Sequence, residues 1–232
     1  MLRHTVLFMF RDSTTAAEKL IAVKGLAYLA YGCHSVRAAD FGRDLFGGAA
    51  PLREVKPWKR TPVWHARRSG PPWGNYDMAL HVDFDDLEGF QAYGICPAHA
   101  EVGDYNERVC WDEFTARVDW WLESPPRTDR GGVRHTSCFL WDNGVDDDAK
   151  SRARAALLSL GTSVPTVRAA VVGDNVGTST TGFDLVLDVL FDDLAGARAY
   201  FDHPAQQEVA ALVAGVTKHE WTARITHTVR SG

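Results

Sequence analysis

The chain has 232 residues and a mass of 25.6 kDa; it is 45% hydrophobic and 24% charged, with a formal net charge of −5 and a pI of about 6.0. This ordinary globular composition excludes disordered, collagen-like and coiled-coil classes, and the acidic balance argues against a protein-wide nucleic-acid surface. Apolar runs such as Val6 to Phe10 fall far short of the ~20 residues of a membrane span, and the opening MLRHTVLFMFRDS reads as a strand and not as a signal peptide.

In chain order, residues 2–10 alternate, with His4, Val6, Phe8 and Phe10 on one face, which predicts a strand. Ser13-Thr14-Thr15 followed by Glu18 starts a helix running to about Tyr31. Val36 to Gly42 reads as a second strand, and Tyr76, Met78, Leu80, Val82 and Phe84 alternate to give a third. Asp85-Asp86 caps a short helix through Tyr93, and Pro97 opens another through about Arg108. Phe114, Ala116, Val118 and Trp120 make the last strand of this unit. The order is β-α-β-β-α-β, a ferredoxin-like unit. It recurs as strands at 133–141, 167–173, 183–191 and 219–229, a helix at 146–161 and two helical pieces within 193–214.

The recurrence is visible in the letters. Arg3-His4-Thr5 returns as Arg134-His135-Thr136, and Val36-Arg37-Ala38-Ala39 returns as Val167-Arg168-Ala169-Ala170, both at an offset of 131. Beyond that the offset is 107: Phe84-Asp85-Asp86-Leu87 returns as Phe191-Asp192-Asp193-Leu194, Ala92-Tyr93 as Ala199-Tyr200, and Glu113 to Val118 as Glu220 to Ile225. The chain is therefore two copies of one unit, residues 1–123 and 133–232, joined by a Pro-, Gly- and charge-rich linker at 124–132. The difference in offset is 24 residues inserted in the first copy, at about 51–74. A four-stranded sheet with helices on one side leaves its other face bare, so the copies are expected to pack sheet on sheet. The predicted fold class is α+β: two ferredoxin-like repeats forming an intramolecular dimeric α/β barrel.

The four cysteines, Cys33, Cys96, Cys110 and Cys138, form no C-x-x-C pair, and without an export signal they are expected to be free thiols in a reducing cytoplasm. The 19 arginines against 6 lysines fit a GC-rich bacterial coding sequence. No H-E-x-x-H, phosphate-loop or dinucleotide-binding pattern is present, so no metal, nucleotide or other cofactor is expected.

The strand-borne His4, the Phe84-x-Asp86-Leu87 turn, Tyr93-x-x-x-Pro97-Ala98-His99 and the alternating last strand resemble the stress-responsive dimeric α/β-barrel (Dabb) family over both copies. The segment Gln91 to Asp104 is similar to that of the olivetolic acid cyclase-type polyketide cyclases of that family. The resemblance implies catalytic roles for Tyr93 and His99 and a pocket role for His4. The second copy keeps Tyr200 and His135 but has Gln206 where His99 stands, and glutamine cannot exchange a proton near neutrality. A working acid–base site is therefore expected in the first copy alone.

The expected activity is a cofactor-independent cyclase or lyase of bacterial specialised metabolism acting on a small aromatic or polyketide-like substrate, with His99 as base, Tyr93 as donor and His4 in support. The alternatives are a cofactor-independent monooxygenase of phenols and a non-catalytic stress or ligand-binding barrel. His81, in place of Asp188 of the second copy, is expected to reach the cavity, and Arg117 to bind a carboxylate or serve a structural salt bridge. The insertion carries Trp58, Trp64, Trp73, five prolines and six Lys/Arg against one Glu. It is expected to line or cover the pocket, with wrapping of the second copy, an interface and a basic docking patch as its other readings. The partners expected are a small-molecule substrate and no nucleic acid or membrane, with the chain a self-contained pseudo-dimer able to pair into a homodimer.

Overall fold

The computed structural model describes residues 1–46, 74–123, 131–178 and 182–229. The first repeat runs β1 (Leu2–Phe8), α1 (Ala16–Gly32), β2 (Ala38–Arg43), β3 (Met78–Phe84), α2 (Leu87–Gly94), α3 (Pro97–Val109) and β4 (Ala116–Trp121). The second runs β5 (Gly132–Phe139), α4 (Asp147–Ser163), β6 (Val167–Asp174), β7 (Leu185–Phe191), α5 (Leu194–Asp202), α6 (Pro204–Ala214) and β8 (Ala223–Val229). Strand β5 thus begins inside the stretch read as linker. Each repeat forms an antiparallel sheet, in the orders β2-β3-β1-β4 and β6-β7-β5-β8.

The local signals act as the residues dictate. The Thr15 hydroxyl accepts from the Glu18 amide while the Glu18 carboxylate accepts from the Thr15 amide, a complete capping box for α1. Asp86 caps α2 through the Gly89 amide at 2.8 Å, and Pro97 takes the first turn of α3, where no amide donor is needed.

The two sheets close on each other at both seams. The Leu45 amide donates to the Thr226 carbonyl at 2.8 Å, and across the pseudo-twofold axis the Val176 amide donates to the Asp119 carbonyl at 2.7 Å. Gly173 is needed at the second seam, because a Cβ there would fall 2.1 Å from the Trp120 ring. The central strands β1, β3, β5 and β7 therefore have two buried faces. One faces the helices, where β1 and β3 contribute Val6, Phe8, Leu80 and Val82 to the core of the first repeat. The other faces the barrel interior.

That interior is only partly apolar, in contrast to the bare hydrophobic face expected. Leu7, Ala116, Val118, Trp120, Val186 and Ile225 fill part of it. The rest holds an ion network. Arg3 grips Asp83 through two bonds, of 2.6 and 2.7 Å, and reaches Asp188 at 3.0 Å; Arg134 lies 2.9 Å from Asp40 and 3.3 Å from Asp188. The recurring Arg-His-Thr is thus partly a structural motif, whose two arginines meet at Asp188. Such charges survive burial because each is paired.

A further correction concerns the thiols. Cys33 and Cys96 are joined in a disulfide with a Cα–Cα distance of 6.0 Å, tying the end of α1 to the turn between α2 and α3. The thiol half of the argument for a reducing compartment falls with it. Cys110 and Cys138 are free and buried, and burial pushes the Cys110 thiol up to about 12. Among the described residues, no helix is long and apolar enough to cross a membrane, and no group of three or more His, Cys, Asp or Glu side chains could hold a metal.

Candidate active site

A cavity of about 430 Å³ lies between the helix-facing side of the first sheet and its helices, within the range of small-molecule sites. Val6, Phe8, Leu26, Leu29 and Leu80 give it apolar walls. His4, Tyr93, His99 and Asp119 are its titratable core. The expected trio His4, Tyr93 and His99 is thus brought together. The Tyr93 and His99 ring centroids are 4.2 Å apart, and those of His4 and Tyr93 6.2 Å.

Asp119 is the residue that the sequence reading missed. It stands opposite His4 in the β1–β4 register, and its Oδ1 lies 2.5 Å from His4 Nδ1. Its other oxygen accepts from the Thr178 hydroxyl, and its amide donates to Asn175 Oδ1 at 3.4 Å. Both partners follow β6, so the second repeat completes the site of the first. With Nδ1 committed to the carboxylate, the His4 ring is oriented and its Nε2 is left for the cavity.

Electrostatics separate the ionisable groups. Burial, the charge of His4 and the charge of Arg117 pull the His99 imidazole below its usual range, against a raising contact with the Gly94 carbonyl. Burial pushes the Tyr93 phenol well above its usual range, so it stays a donor. Burial would also raise the Asp119 carboxyl, but the bond and charge of His4, then Thr178 and Arg117, outweigh it and hold the group ionised.

The other expected site residues are placed differently. His81 does not reach the cavity, because β3 turns it into the barrel interior. There it meets Thr5 at 3.1 Å and stacks on His227 at 5.5 Å. Arg117 reaches the cavity rim, but it is paired with Asp112 at 2.6 Å, the salt-bridge reading. Trp58, Trp64 and Trp73 lie outside the described residues.

The second repeat shows how the same framework is closed. His135 bonds the Thr226 hydroxyl through Nδ1 and the Ser137 hydroxyl through Nε2, each at 2.9 Å, so both ring nitrogens are spent on structure. Thr226 occupies the position of Asp119, and Phe201 that of Gly94. The Phe201 ring lies 4.9 Å from His135, and Phe46 of the first repeat packs edge-on against it. A Cβ on Gly94 meets nothing within 4 Å. Gly94→Phe is therefore expected to fold with unchanged or raised thermal stability and to abolish binding of a fluorescent apolar probe such as 1-anilinonaphthalene-8-sulfonate. Probe binding equal to wild type would refute that account of the cavity.

Residues 133–223 match the family described as the stress responsive A/B barrel domain, Dabb. That match covers the second repeat; the first repeat has the same strand order and element sequence, so the chain is a tandem of two units of one ferredoxin-like fold. No curated protein matches the sequence. Among solved structures, an anthrone oxidase-like protein is 13% identical, with a TM-score of 0.65 over 99% of this chain and 91% of its own. A candidate monooxygenase from Lactobacillus acidophilus is 10% identical, with a TM-score of 0.52 over 99% and 93%. A dimeric ferredoxin-like protein from Thermobifida fusca is 26% identical over 42% of this chain and 89% of its own, with a TM-score of 0.37. The first two share the tandem-barrel fold across nearly the whole chain.

Proposed function

We propose that the first Dabb-like repeat is an acid–base catalyst that removes a proton from carbon beside a carbonyl, and that it acts as a cyclase or lyase on a small aromatic or polyketide-like substrate. The observation that carries this reading is the grouping, in one largely apolar cavity, of a half-buried imidazole and a buried phenol, their ring centroids 4.2 Å apart, with His4 and Asp119 beside them. Groups whose environments drive their proton affinities apart divide into acid and base. His99, held neutral, accepts the C–H proton. The Tyr93 hydroxyl donates to the enolate oxygen that forms, with His4, oriented by Asp119, beside it in support. The enolate carbon then attacks a second carbonyl of the same molecule, forming the C–C bond, and the proton on His99 passes to the resulting alkoxide. Every group needed comes from the chain, so the reading calls on no cofactor.

The test is solvent deuterium entering C2 of benzoylacetone, a β-diketone, in the presence of the protein. Exchange well above the buffer rate is expected. Binding without exchange would overturn the enzymatic reading and leave a ligand-binding barrel. A second reading uses the same base to deprotonate a phenol that then reacts with oxygen, and the anthrone oxidase-like neighbour motivates it. Oxygen uptake with an anthrone or hydroquinone would favour it over the cyclase.

A further inference from the structure

Asn106 is an anomaly in α3. It lies on the helix face that Ala98, Val102 and Val109 bury, and it is only 6% exposed. Asparagine is a poor helix former and is seldom buried without partners. Its Oδ1 is buried and has no hydrogen-bond partner, a loss that folded proteins rarely accept. The second repeat, whose site is filled, carries Val213 at this position, the residue that burial alone would favour.

The cavity supplies the reason for the polar group. Asn106 lines it beside Leu26, Leu29, Val102 and Gly103, and a Cβ on Gly103 would meet nothing within 4 Å. An acceptor set among aliphatic side chains, next to open space, is satisfied when a ligand brings a donor. We infer that Asn106 is a specificity residue, pairing its side-chain carbonyl with a hydroxyl on an otherwise apolar, ring-containing ligand. The cavity thus selects phenol-like compounds over hydrocarbons of the same shape. A site built to bond a hydroxyl rejects the analogue that lacks it, because the acceptor is then left buried and unpaired.

This inference rests on the cavity being the ligand site of the proposed function, but its readout is affinity and not turnover. The two can therefore fail separately. The experiment compares binding of 4-propylphenol and propylbenzene by calorimetry, for wild type, Asn106→Leu and Asn106→Val. Leucine keeps the bulk of the side chain, and valine is the residue that the second repeat accepts. Wild type is expected to bind the phenol about tenfold tighter or more. Either variant should lose that preference, bind the hydrocarbon as well as or better than wild type, and melt at the same or a higher temperature. Equal affinities in wild type, a preference that survives in both variants, or no binding of either compound would overturn the assignment.

Discussion

Replacing His99 with glutamine is expected to lower the rate of C–H proton removal by about 10²- to 10⁴-fold, the usual worth of a positioned general base. The substitution is mild for the fold, since Gln206 already stands at the matching position of the second repeat. Binding should change little, because apolar walls form most of the cavity, so the loss belongs in kcat and not in KM. The pH profile carries the same logic. Neutral imidazole is the active form, and burial lowers its proton affinity. The wild-type rate should therefore hold through neutral pH and fall only as the pH drops below the ordinary imidazole range. A variant that keeps full rate, or a rate that is already falling at pH 7.5, would remove His99 from the base role.

A second large effect should appear in stability between pH 6.5 and 5. Burial, followed by the charges of Arg224 and His227, lowers His135 to about 3, against about 6.5 in an unfolded chain. His81 is lowered well below its usual range by burial and by Arg134, His227, Arg3 and His4. His227 is lowered mainly by burial and Arg134, against the raising charges of Asp40 and Asp188 and the Thr228 carbonyl. In this window the unfolded state binds protons that the native state refuses. The stability these groups confer is therefore complete above pH 6.5 and is lost as the pH falls. For His135 alone the loss at pH 5 is about 2 kcal/mol, and His81 and His227, lowered in the same direction, add to it. Denaturant unfolding at pH 7, 6 and 5 measures it. A flat stability over that range would mean that the three rings are protonated in the native barrel.

Much of the fold was legible because the sequence states it twice. The two offsets, 131 and 107, located the repeat and the insertion, and Thr15, Asp86 and Pro97 marked helix starts that the structure keeps. Alternation in a strand reveals two faces but not which one borders a cavity. That is why His81, placed on the face opposite Leu80, was expected to reach a cavity that lies on Leu80's own side of the sheet, where His4 stands. Asp119 went unread because the last strand was followed through Ala116, Val118 and Trp120, whose face points into the barrel. A signal was present: within segments that otherwise match, Asp119 stands against Thr226 and Gly94 against Phe201. Differences between duplicated units mark where one unit kept a site and the other filled it. The Cys33–Cys96 bridge spans 63 residues with no motif between its ends, so only the folded chain brings those sulfurs together.

The most direct test of a neutral base in the first-repeat cavity is a titration of histidine ring nitrogens by NMR. Spectra of ¹⁵N-histidine-labelled protein, with and without benzoylacetone, would be assigned by comparison with His99→Gln. The account predicts that the His99 signal titrates below 6.5 and shifts when the diketone binds. A signal that titrates above 6.5, or that ignores the ligand, would contradict it.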